Sequence, residues 1–193
     1  RQLAARRIDV EAIQHALPPM RLDMHANGPS LLADYLRGSG ISVNDIGLSA
    51  SNDSIIRFGA RALRIRSGET RIDTVTVAMT QRDQYLIYDV SMGNRPGTMD
   101  AFARVGLCGY VAYDQLQMLA RQNNIQGQTG YSLGLTATAD TTGINIHFVP
   151  DDPVIAYKDW TINPDNFIHL DMAHRHLDAN LDMAGAGSRV HLY

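Results

Sequence analysis

The sequence predicts an α+β domain whose central helix carries the chain's only cysteine, and three observations lead there. Apolar residues recur at helical spacing near the N-terminus and again after Cys108. Strict alternation sets in from Asp73, and beyond residue 124 the chain breaks into short β-rich runs punctuated by Gly, Pro, Asn and Asp. Helices before the cysteine helix and strands after it, with a hairpin between, make an α+β arrangement.

Taken in order, Val10, Ile13 and Leu17 lie at spacings of three and four behind Asp9, an N-cap, and Pro18-Pro19 ends this first helix. Ser30 caps a second helix striped by Leu31, Leu32, Tyr35 and Leu36, which Gly38 or Gly40 stops. The run "TVTVAMTQRDQYLIYDVSM" reads as a hairpin turning at "TQRDQ", and "GNRPGT" breaks it. The central helix is expected from about Cys108 to Arg121, burying Ala112, Leu116 and Leu119 and closing at Asn123-Asn124. Then "GYSLGLTATA", "TGINIHFVP", "PVIAYKDW", "NFIHLDM" and "HLDANL" read as strands. The expected organisation is a mainly helical N-terminal subdomain over 1–72, an α+β core over 73–185 and a mobile tail over 186–193, which together fit one compact domain.

Composition narrows the function. The chain has 193 residues, 45% of them hydrophobic, a net charge of −3, sixteen arginines and one lysine, Lys158. A near-neutral chain has no electrostatic footprint for nucleic acid, and no apolar run reaches the ~20 residues of a membrane-spanning helix, so neither nucleic acid nor membrane is an expected partner. One cysteine excludes an internal disulfide framework and fits a reducing, cytoplasmic compartment.

A cysteine at a helix start has its thiolate stabilised by the unsatisfied backbone N–H groups, which favours nucleophilic chemistry. Gly106 and Gly109 leave room for a substrate to approach, and backbone N–H groups around Gly106, Leu107 and Gly109 are candidates for an oxyanion hole. The opposing reading is a small buried hydrophobe. A base decides between them. In a strand beginning at His176, that imidazole shares a face with Asp178 and Asn180, an arrangement that orients a general base. His147, in a half-buried strand, and His174 are alternative bases. His174 and His176 at i, i+2 also suit zinc, but no third or fourth ligand is evident, so no metal is expected.

The order of these parts, with a cysteine opening a helix followed by "GINIHFV" and "NFIHLDMAHRHLDANL", resembles the papain-like cysteine proteases of the ovarian-tumour (OTU) type. "GINIH" matches one strand of that family, "IHL" at 168–170 a second, and "HLD" at 176–178 the histidine segment. Val105 stands where an aspartate is common, and Leu177 where an aromatic is. The resemblance implies a cofactor-free thiol protease that cleaves peptide or isopeptide bonds. It would be a deubiquitinase, or a viral protein that processes a polyprotein in the host cytoplasm, with a ubiquitin-like tail or polyprotein segment as protein substrate. Cys108, His176 and Asp178 are then the triad. Two other readings stand beside it: a cysteine amidase or peptidoglycan hydrolase of CHAP type, and a non-enzymatic structural or interaction domain with Cys108 in its core. Sequence leaves the oligomeric state open.

Overall fold

The computed structural model describes residues 8–28, 30–94 and 103–193, and the architecture differs from the expected one. Two short helices, α1 (Val10–Ala16) and α2 (Leu31–Gly38), accompany strands β1 (Arg21–Asn27), β2 (Ile41–Ser42), β3 (Asp45–Ser51), β4 (Arg57–Ser67), β5 (Thr70–Arg82), β6 (Tyr85–Gly93) and β7 (Arg104–Ala112). The chain continues through β8 (Gln115–Asn123), β9 (Thr129–Ala139), β10 (Gly143–Ile155), β11 (Lys158–Ile162), β12 (Phe167–Asp171), β13 (His176–Gly185) and β14 (Ser188–Leu192). All fourteen strands join one antiparallel sheet in which β3 to β10 lie side by side in chain order, with β1 outside β3.

Both helices begin as the sequence requires: Asp9 Oδ1 accepts from Ala12 N–H at 2.8 Å, and Ser30 Oγ from Ala33 N–H at 3.2 Å. The hairpin from Asp73 is β5–β6. The break at "GNRPGT" falls largely outside the described residues. Residues 186–193, read as a mobile tail, contribute β14 along β13.

The expected central helix is corrected. Cys108 lies mid-strand in β7, opposite Asp89 of β6 and Leu119 of β8, so the papain-like α+β fold with a cysteine-bearing helix on a sheet is not what this chain adopts. The reason is a competition of periods. Leu116, Leu119 and Ala120 satisfy helical spacing, yet Val105, Leu107, Gly109 and Val111 alternate, and so do Leu116, Met118 and Ala120. Gly106 and Gly109 disfavour a helix by about 1 kcal/mol each, and the adjacent β5–β6 hairpin offers an edge on which alternation is rewarded.

Register sorts the side chains into two unlike faces, because directly paired residues in antiparallel strands point the same way. One face carries, strand after strand, Leu22 and Met24, Leu48 and Ala50, Phe58 and Ala60, Val75 and Val77, and Tyr88 and Val90. It continues through Val105 and Leu107, Met118 and Ala120, Leu133 and Leu135, Ile146 and Phe148, and Ile168. The other carries Asp23, His25, Ser49, Arg61, Thr76, Asp89, Ser91, Cys108, Gln117, Arg121, Thr136, Asn145, His169 and Asp178. Leu63, Ile87, Tyr110, Leu119, Val149 and Phe167 also lie on this second face, so the sheet is apolar on one side and mixed on the other, which holds all the charged groups of these rows.

At the β9 end the apolar face closes on itself. Ile162, Leu181 and Met183 are buried, packed by Leu133, Phe148, Ile155, Trp160 and Ile168. The topology behind this closure is unusual. Strand β10 pairs with β12 along its first half and β11 along its second, and β13 does the same from the far side. Asn166, 1% exposed, supports the changeover: its side chain accepts from Phe148 N–H at 2.7 Å and donates to the Phe148 carbonyl at 2.9 Å, as a strand residue would.

The helices sit at opposite ends of the apolar face. Near α1, Ile8 bridges Tyr113 at the β7–β8 turn, and the Gln81 amide, on the apolar face, donates to the Gln14 side-chain oxygen. At the other end, α2 leads into β2, which pairs with the last residues of β4. No helix among the described residues is long and apolar enough to cross a membrane.

Candidate functional site

Cys108 is half-buried and lines a hollow of about 250 Å³ on the polar face with Asp89, Arg104, Gly106, Leu107, Leu119, Arg121 and Asn123. No histidine belongs to that lining. His176 and Asp178 share the polar face with the thiol, but β8, β9, β10 and β12 stand between, five strand steps or about 24 Å along the sheet. As strand alternation requires, His176 Nε2 and Asp178 Oδ1 face one another at 3.6 Å, both well exposed. The imidazole–carboxylate pair is therefore present, and the thiol lies elsewhere.

The alternative bases are placed as follows. His147 Nδ1 lies 2.5 Å from the Asn166 carbonyl and serves the β10 changeover. His174, in the β12–β13 turn, lies 2.7 Å from Asp171 Oδ2. Asp171 also accepts from the N–H groups of Ala173 and His174, and these bonds, His174 N–H first, hold its carboxyl down at about 2. The same pairing raises the His174 pKa above its usual value. This is a turn-closing ion pair at the surface. His174 and His176 are not joined by a third metal-binding side chain: no cluster of three or more His, Cys, Asp or Glu suited to a metal occurs among the described residues.

Gly106 and Gly109 serve the sheet. A Cβ at Gly109 would collide with the Gln117 carbonyl and lie 3.0 Å from the Tyr88 hydroxyl. Tyr88 instead reaches across Gly109, its O–H donating to the Gln117 carbonyl at 2.9 Å. Burial, with the Cys108 thiol adding to it, pushes the Tyr88 hydroxyl pKa up. A large ring is thus laid down where a smaller neighbour leaves space.

The larger candidate is the apolar face itself, which sequence reasoning did not anticipate. At its α1 end a hollow of about 360 Å³ is lined by Ile8, Val111, Leu116, Ala137 and Ile144 with the residues of the β7–β8 turn. The face is rich in small side chains, Ala26, Ala50, Ala60, Ala62, Ala120 and Ala137 among them, so it is shallow and evenly apolar. The whole chain exposes 12728 Å², against about 9,100 Å² for a compact protein of its 21.3 kDa. Comparison with protein-family models, with curated proteins and with solved structures finds no match.

Proposed function

We propose that this chain is a binding module whose apolar sheet face receives the hydrocarbon part of an amphiphilic ligand. The observation that carries the reading is the apolar face running from β1 to β12, which closes on itself at the β9–β13 end, while the two short helices bury only Val10 and Ala33. Contiguous apolar surface of this extent marks a binding site. Small side chains and a flattened Tyr88 suit a flexible chain lying along the sheet better than the interdigitation a second packed sheet needs. The peptidase expectation gains no support from the surroundings of Cys108, whose hollow is lined by Asp89 but by no histidine.

Titration calorimetry with a dodecyl chain is expected to show saturable binding. Val77→Asp on the apolar face should weaken that binding at least tenfold, and Thr76→Asp, one residue along on the polar face, should not. Equal effects from the two variants, or no binding, would overturn the proposal. A concentration-dependent dimer with no chain bound would transfer the face to a second copy.

A further inference from the structure

The apolar columns of β4 and β5 do not run apolar to their ends. On β4, Phe58, Ala60 and Ala62 lead to Arg64, where the ladder with β5 is interrupted, and then to Arg66, and on β5, Val77 and Val75 lead past Asp73 to Arg71. Arg66 and Arg71 are direct cross-strand partners, an arrangement that places like charges side by side at a cost. Among the described residues no carboxylate lies within salt-bridge distance of Arg64, Arg66 or Arg71. A hollow of about 440 Å³ is lined by Arg64 and Arg66 together with Gly28, Ser42, Val43, Asn44 and Arg37 of α2.

The hollow is held in shape. Arg64 adopts a left-handed backbone, φ 52, and its guanidinium lies against the Asn44 side-chain amide, which satisfies it with its oxygen when that amide is turned over. Arg37 is steadied by Asp34 at 2.7 Å, the one carboxylate engaged with these arginines, while Glu69 stands in the β4–β5 turn. Gly28 N–H donates to the Asn44 carbonyl and Asn44 N–H to that of Leu63, which fixes the floor. Three guanidinium groups around one hollow, beside a serine hydroxyl and an asparagine amide, form the donor set that a tetrahedral oxyanion takes.

We propose that Arg37, Arg64 and Arg66 form a phosphate-binding subsite at the α2 end of the apolar face, seating the phosphate head of an amphiphile whose chain lies on that face. This rests on the reading of the face given above for the chain, and on the arginine geometry alone for the head. Dodecyl phosphate, dodecanol and inorganic phosphate separate the two.

By titration calorimetry, dodecyl phosphate is expected to bind at least tenfold more tightly than dodecanol, with the difference shrinking as salt rises. The double variant Arg64→Asn/Arg66→Gln, whose asparagine tolerates the left-handed backbone, should erase that difference and leave dodecanol binding unchanged. Equal affinities for the two chains in the wild type, or an advantage that survives the double variant, would overturn the subsite while the apolar face stands. Broadening of the inorganic phosphate ³¹P resonance by the wild type and not by the double variant, with neither chain bound, would support the subsite and remove the face. Silence from all three probes removes both.

Discussion

The two ends of this sheet make their cores by opposite means. From β3 to β9 the chain runs back and forth in hairpins, each strand touching its neighbours in sequence, and its apolar side chains stay half-exposed on one face. From β10 to β14 the strands change partners, β11 and β12 share one slot between β10 and β13, and side chains of the same face meet in a closed cluster. Alternation alone yields an amphipathic surface. Closure needs an interruption of the ladder, and here the buried Asn166 supports the interruption.

That contrast is broken most severely in the closed end. Leu181→Ala should cost about 2–4 kcal/mol by opening a cavity in the cluster, whereas Leu107→Ala in the open meander should cost about 1 kcal/mol, measured by urea denaturation. Comparable losses at the two sites would mean the meander is covered in solution. Gly109→Val tests the meander from its tight point, since its side chain must displace the Gln117 carbonyl or Tyr88, and about 3 kcal/mol is expected with altered tyrosine near-ultraviolet dichroism. Asn166→Ala, which leaves the Phe148 N–H and carbonyl without partners, should cost about 2–3 kcal/mol and loosen β10 first in hydrogen exchange.

A smaller effect lies in the β12–β13 turn. The depressed Asp171 contributes stability above the usual carboxylate range that is lost as pH falls toward about 2, and the raised His174 contributes stability below its ordinary value that is lost as pH rises through the folded one. Asp171→Asn should return the His174 titration, followed by NMR, toward that of a free histidine. An unchanged titration would exclude the pair. Smallest of all, His176→Ala should leave the alkylation rate of Cys108 unaltered, and a marked slowing would bring thiol and imidazole back together.

Much of the closed end was legible. Phe167–Asp171, the turn at 173–175 and a strand from His176 follow from alternation and spacing, as do the two capped helices. The β10–β11 turn was not, because Ala156 and Tyr157 both take left-handed geometry where Asn-Gly would announce it, so "PVIAYKDW" reads as one strand. The cysteine segment failed for another reason: Leu116, Leu119 and Ala120 fit a helix while Leu116, Met118 and Ala120 fit a strand, and only the pairing of β6 with β7 decides. Choosing the wrong period placed the thiol on a helix and set it in a site with His176. The amphipathic face was invisible for a third reason, since it depends on register between hairpins and not on any one of them.

The contact between Ile8 and Tyr113 carries its own implication. Nearly every other pairing in the meander closes a short loop and can form as soon as the next hairpin exists, which favours rapid, stepwise assembly. This one must wait until β7 and β8 have met, so Ile8 is the last contact of the open half to be fastened. Its release is also the cheapest way to uncover Val111 and Leu116 without disturbing a single ladder.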